Sequence, residues 1–358
     1  MDFNSFDINL FKTLCESSEE NKNVVISPMS ISFALSMLLI GSDEATKKEI
    51  ENVLGFAKDE KLFDKLNSLN NTINTSTEGL DLTVESFFYS DEHFEIRNDY
   101  LANLKKALNC QVKSLDNKKK RAKAKGIMTF ETTFEQKKTC TITSYISFRA
   151  VWLDQFKPLN TYCCNFLGED KNVKMMYQNN VYSFHSEHKF KCVKIPYLTT
   201  DLSMLIILPE KGFSINEVLK ILDVNKFQSL KNENNFSQTS LCLNLPVFEI
   251  GYKQSLKNVF VLLGINKAFG ENEANFSAIS NDAVLRDCKN FVSKDVHEIL
   301  IETCEEGTET GASKDIKSMA TKPAKVIPIG KPFVVDHPFL FVVQYKKQTL
   351  FMGKVSSL

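Results

Sequence analysis

Residues 5–18 set Phe6, Leu10, Phe11 and Leu14 at the spacing of one helix face, which predicts a first helix. In the NVVISPMSISFALSMLLIG that follows, Asn23 to Ile26 read as a short strand and Ser27 as a helix N-cap. Pro28 takes the first helical position, where a missing N–H costs nothing. The apolar run stops at Gly41, read as a C-terminal cap. Thr46-Lys47-Lys48-Glu49 has the form of a capping box and predicts a helix ending by Gly55. The polar segment 58–78 reads as helix and then loop. Beyond it, β-branched and aromatic residues predict strands over Leu80–Tyr89, Ser144–Trp152, Lys189–Tyr197, Leu202–Leu208 and Ser240–Tyr252. Ile215–Leu222 and Ser255–Leu263 read as helices. The last third is strand-rich: Phe291–Thr303, then Phe339–Tyr345 and Thr349–Val355 as a hairpin across Lys346-Lys347-Gln348. There is no internal repeat, no Ser/Gly/Pro linker and no βαβ alternation, so the pattern predicts one α+β domain over residues 1–358.

Residues 305–323, EEGTETGASKDIKSMATKP, carry few large apolar side chains and have the composition of an exposed loop. At a period of two they divide into faces. Thr308, Thr310, Ala312, Lys314, Ile316, Ser318 and Ala320 fall on one side; Glu309, Gly311, Ser313, Asp315, Lys317, Met319 and Thr321 fall on the other. Apart from Lys314 the first side is small or apolar, which is the pattern of a half-buried strand. An ordinary connector would have the same composition, so periodicity leaves both readings open.

Hydrophobic residues make up 43% of the 358, with 28 Phe, enough for a substantial core. Forty-four Lys plus Arg balance 44 Asp plus Glu, so no net charge draws the chain to nucleic acid or to an acidic membrane. The N-terminus, MDFNSFDINLFKTLCESSEE, lacks the basic and apolar regions of a signal peptide. Apolar runs such as Met204 to Pro209 fall far short of the roughly 20 residues that span a bilayer. Nine cysteines, an odd number with no C-x-x-C pair, read as free thiols in a reducing compartment. A cytoplasmic location is therefore expected, with signal-independent release as the other route; no membrane association is expected.

Catalytic constellations are not evident. His185 and His188 share a helical spacing, but the surrounding alternation is that of a strand, which would point the two rings to opposite faces. Gly307-Thr-Glu-Thr-Gly-Ala-Ser lacks the spacing of a phosphate loop, and no G-x-S-x-G elbow occurs. The chain is expected to be no enzyme and to need no metal or cofactor. One charge cluster stands out: Lys118, Lys119, Lys120, Arg121, Lys123 and Lys125 form either a polyanion site or a solvated helix turn. The cluster has no interleaved aromatics, which single-strand binders would need, and this favours the solvated turn.

Glu305-Glu-Gly-Thr-Glu-Thr-Gly-Ala-Ser313 resembles the hinge of the serpin family, and the match does not stand alone. Asn23-Val-Val-Ile-Ser-Pro-Met-Ser-Ile31 resembles the segment entering that family's second helix. Ile146-Ser-Phe-Arg-Ala-Val-Trp152 resembles the strand with its buried tryptophan, and Trp152 is the only Trp. Val173-Lys-Met-Met-Tyr-Gln178, Leu202 to Pro209, Ala274 to Ser280, Val292 to His297, His337 to Phe341 and Leu350 to Val355 are similarly close. Each block alone is weak. Their family order from about residue 5 to the C-terminus is specific.

The resemblance implies an α+β serpin fold with about nine helices, three sheets and an exposed reactive-centre loop at about 305–327. It also implies a metastable state that traps a serine protease. The enzyme cuts the loop and is held as an acyl-enzyme, because the cut loop inserts into the large sheet as a new strand. The fourteen residues from Thr308 to Thr321 would then span about 46 Å at roughly 3.3 Å each. Site residues follow from the same resemblance. Glu305, Glu306 and Gly307 match the hinge, followed by Thr308, Glu309, Thr310, Gly311, Ala312 and Ser313. Ser27, Ser30 and His297 match the shutter beneath the sheet, where the family's usual Asn falls at Ser144. Trp152 matches the breach, where insertion begins. The family spacing places the scissile bond at Thr321 and Lys322, with Met319 and Ala320 as neighbouring candidates, and points to a chymotrypsin-like or elastase-like target. A monomer is expected. Lys314 on the inward face opposes insertion, because an isolated buried ammonium is costly. A non-inhibitory carrier or scaffold with the same fold, and a polyanion-binding protein using Lys118–Lys125, are the alternatives.

Overall fold

Helix Pro28–Gly41 is apolar all the way round and is buried along its length, with only Ile40 partly exposed. Its first turn is built as the sequence predicts: Ser27 accepts a hydrogen bond from the Ser30 N–H, and Pro28 opens the helix. Gly41 plays a different part from the expected left-handed cap. It stays helical, and a Cβ there would meet Ile279 at 2.5 Å, so it is a point of close packing. The next helix, Glu44–Leu54, is capped by Asp43 and not by Thr46, whose hydroxyl accepts the Asn275 N–H instead. It ends at Gly55 with φ +78, the left-handed cap expected there.

The structure is a computed structural model and describes residues 3–56, 61–91, 94–115, 126–133, 139–166, 172–280, 291–310 and 329–358. Among the described residues there are eight α-helices: Asn4–Ser17, Pro28–Gly41, Glu44–Leu54, Leu62–Ile73, Asn98–Leu108, Ile215–Ile221, Val224–Lys231 and Lys257–Leu263. None is long and apolar enough to cross a membrane. The eight described residues assigned as free cysteines form no disulfide.

Two sheets carry the rest. A nine-stranded sheet runs in the order Val24–Ile26, Gln348–Val355, Phe339–Tyr345, Leu202–Pro209, Phe190–Pro196, Asn172–Ser186, Ser237–Pro246, Lys331–Val334, with Tyr162–Asn165 added to Asn172–Ser186. The predicted C-terminal hairpin is formed and lies second and third in this order, between Val24–Ile26 and Leu202–Pro209. The run expected as one strand over Ser240–Tyr252 is two. The chain leaves this sheet at Val247, whose N–H bonds Lys174 O, and continues as Phe248–Gln254 in the other.

The eight-stranded sheet is ordered Phe248–Gln254, Phe291–Thr303, Gly307–Thr310, Thr139–Val151, Leu80–Ser90, Thr75–Thr77. Gln111–Ser114 pairs with Leu80–Ser90, and Gly126–Thr133 pairs with both Phe291–Thr303 and Thr139–Val151. Two short strands therefore share the lane between two long ones. Buried side chains from the helices and both sheets form one continuous hydrophobic cluster that includes Phe11, Phe33, Phe148 and Phe351.

Candidate functional site

The upper end of that lane holds the hinge. Gly307–Thr310 is a buried strand that pairs antiparallel on both sides. Thr308 stands between Thr303 and Ala150, and Glu309 between Glu302 and Arg149. A Cβ on Gly307 would lie 1.9 Å from the Ala150 carbonyl oxygen, so glycine is required by the close approach of a neighbouring backbone. Gly307 is not among the residues with positive φ, so the close approach and not a left-handed backbone calls for glycine. Thr308 is fully buried, and its hydroxyl takes a 2.8 Å hydrogen bond from Tyr197 and lies 3.3 Å from that of Thr303. Thr310 Oγ1 accepts from the Phe148 N–H at 3.0 Å. Small hydroxylated residues suit this face, because each finds a polar partner inside the core.

The hinge approach is held by backbone contacts. Trp152 N–H bonds Glu306 O, Phe156 N–H bonds Glu305 O, and Cys304 N–H bonds Gly307 O. Trp152 is buried, stacks on Tyr197 at 4.3 Å between centroids, and donates its indole N–H to Cys304 O at 2.9 Å. Glu305 accepts from Thr161 Oγ1 at 2.8 Å. Glu306 accepts from the Cys304 thiol, and burial together with that neighbour pushes the thiol up to about 12. Tyr197 and Cys304 complete the pocket around the hinge and were not singled out from sequence. Tyr197 ends a predicted strand, but nothing local says that its hydroxyl turns toward residue 308.

At the lower end, Ser27, Ser30, Ser144 and His297 are all fully buried. His297 Nε2 accepts the Ser27 N–H at 3.2 Å, and Nδ1 lies 3.0 Å from the Ile127 carbonyl oxygen, which assigns the proton to Nδ1. Burial lowers its pKa to about 4, with the Ile127 hydrogen bond working weakly against it. Three of the four expected shutter residues are thus joined. Ser144 is not: Met128 of Gly126–Thr133 stands between it and His297 in the ladder. The Ser144 hydroxyl is buried with no hydrogen-bond partner.

His185, a metal candidate by spacing, ends strand Asn172–Ser186 and contacts Asn235 O and Glu187. His188 lies past the strand and packs on Phe213. Gly311, Ala312, Ser313, Met319, Ala320, Thr321 and Lys322 lie outside the described residues, as does the basic cluster Lys118, Lys119, Lys120, Arg121, Lys123 and Lys125.

Comparison with known proteins bears on this site. A family model described as "Serpin (serine protease inhibitor)" matches residues 1–358. An uncharacterized serpin-like protein of Methanosarcina mazei is 29% identical over 98% of this chain and 85% of its own length. Leukocyte elastase inhibitor A of Mus musculus is 27% identical over 98% of this chain and 97% of its own. Among solved structures, a cleaved, loop-inserted ovalbumin mutant superposes with a TM-score of 0.82 at 21% identity, covering all of both chains. Uncleaved ovalbumin superposes at 0.79 with 21% identity, over 99% of this chain and 98% of its own. These structures share the fold.

Proposed function

Because the chain belongs to the serpin family, we propose that it inhibits a serine protease as a suicide substrate, offering the segment after Thr310 as bait. The protease cleaves this loop at or near Thr321–Lys322 and is left as an acyl-enzyme. Entry of the cut loop into the eight-stranded sheet then carries the enzyme away from its starting pole. Distortion of the enzyme's oxyanion hole and triad slows deacylation. The chain itself catalyses no step. The curated likeness to leukocyte elastase inhibitors favours an elastase-like or chymotrypsin-like target.

The observation that carries this reading is the seating of Gly307–Thr310 between Phe291–Thr303 and Thr139–Val151. The hinge already occupies the first places of the lane that insertion would fill, with Thr308 and Thr310 hydrogen-bonded inside the core. One observation favours the non-inhibitory alternative: the places below the hinge are taken by Gly126–Thr133.

Thr308→Arg tests the reading. A guanidinium at this fully buried position would have to enter the core without a partner. The wild-type protein is expected to give an SDS-resistant complex with its target, and the variant to be cut and released. Retained complex formation by Thr308→Arg would remove insertion from the mechanism.

A further inference from the structure

We infer that Gly126–Thr133 is the resident occupant of the insertion lane, so that loop insertion in this chain is an exchange of strands and not an addition. The inference rests on the insertion mechanism proposed above and specifies what regulates it.

The registers define the competition. Thr310 stands opposite Ile301, and Gly126 stands opposite Ile299, so a single place, opposite Leu300, separates the two short strands. Both run antiparallel to the same two neighbours and therefore point the same way down the lane. If the hinge register continued past Thr310, Gly311 would take the place opposite Leu300. Ala312 would then need the place that Gly126 holds, Lys314 that of Met128, Ile316 that of Phe130 and Ser318 that of Thr132. The match holds against Thr139–Val151 throughout, and against Phe291–Thr303 as far as Glu131, where that ladder shifts register between Val292 and Lys294.

The resident is the better fit. Gly126 lies where a Cβ would meet Ile146 at 2.6 Å, so Ala312 would be crowded there. Met128 and Phe130 are fully buried, and the Phe130 ring packs against Phe260 at 5.8 Å. His297 anchors the strand through the Ile127 carbonyl. An entering loop would remake the ladder hydrogen bonds that the resident gives up, so the backbone gains little from the swap. The side chains lose: an ammonium replaces a thioether at Met128, and Ile replaces Phe at Phe130. The expelled strand also stays close at hand, because the short connection from Thr133 to Thr139 ties it to a wall of the lane. It competes as an intramolecular ligand at high effective concentration. Insertion past Gly311 therefore waits on departure of the resident, and the resident's hold sets how many cut molecules trap a protease and how many are released as spent substrate.

Hydrogen–deuterium exchange on intact and loop-cleaved protein tests this. In the cleaved protein, residues 312–318 are expected to gain protection as 126–133 lose it. If the loop gains protection while 126–133 keep theirs, insertion is an addition and the inference is overturned, with the inhibitor reading intact. If neither changes, the wild-type loop does not enter and the inhibitor reading fails. Phe130→Ala then decides the inference: entry of the cleaved loop on weakening the resident supports it, and continued exclusion overturns it. A second variant does not depend on loosening the core. Thr129 and Thr143 face each other across the ladder with hydroxyls 3.4 Å apart. The double variant Thr129→Cys/Thr143→Cys can therefore tie the resident to its wall by a reducible disulfide. Oxidised, it is expected to lose SDS-resistant complex by about tenfold or more, in line with a strand that cannot leave; reduction restores it. Wild-type protein carried through the same oxidation is the control. Equal complex yield from the oxidised and reduced variant overturns the inference.

Discussion

His297 shows how much one residue can carry in this fold. Its imidazole is neutral, fully buried and used at both nitrogens, joining the start of helix Pro28–Gly41 through Ser27 to the lane through Ile127. With the pKa held at about 4 in the folded protein against 6.5 ordinarily, the unfolded chain binds a proton between those values that the folded chain refuses. Its contribution to stability is therefore complete above pH 6.5 and is lost as the pH falls through 4, on the order of 3 kcal/mol in all. Protonation would also set an N–H against the Ser27 N–H. Thermal melts taken from pH 7 down to pH 4 are expected to show this fall, and His297→Gln to flatten it. An unchanged slope in His297→Gln would assign the dependence elsewhere. The family motif made His297, Ser27 and Ser30 legible in the sequence. The Ile127 contact was not, because it depends on a strand outside the motif.

At the scale of elements, the hinge strand and its rival explain what sequence could and could not foresee. The alternation from Thr308 to Ala320 is compatible with a half-buried strand or a connector; Gly307–Thr310 form a strand, with Thr308 and Thr310 hydrogen-bonded inward and Glu309 buried too. It could not show that Gly126–Thr133 shares the lane with Gly307–Thr310, since that strand is remote in sequence. Gly126-Ile-Met-Thr-Phe-Glu-Thr-Thr133 also alternates, with Met128 and Phe130 inward. Its strand was not among those expected from the sequence. Val247, where the chain passes from one sheet to the other, was hidden inside a single β-rich run. Gly307 supplies the test at this scale. A methyl group 1.9 Å from the Ala150 carbonyl cannot be absorbed by a side-chain rotation, so Gly307→Ala must shift backbone. It is expected to lower stability by roughly 1–3 kcal/mol and to raise exchange at the 307–310 amides. Unchanged protection there would mean that the hinge strand tolerates displacement more readily than its packing suggests.

For the whole molecule, the ordered blocks of sequence carried the fold further than any local pattern. Eight described helices around two sheets and one continuous core match solved serpins at TM-scores from 0.75 to 0.82. Zero net charge leaves encounter with a partner to the loop and its surroundings rather than to a global field. On the proposed reading, what the chain does follows from a balance between two states of one sheet. In the structure the lane is shared by Gly307–Thr310 and Gly126–Thr133; in the proposed second state the loop has displaced Gly126–Thr133 and holds the protease at the far end. Intact mass measurement after mixing with chymotrypsin-like and elastase-like proteases separates trapping from turnover. A covalent adduct of the enzyme with the chain ending at or near Thr321 is expected, together with a released peptide beginning at or near Lys322. Full recovery of active, unmodified protease beside a cut chain would contradict the proposed trapping.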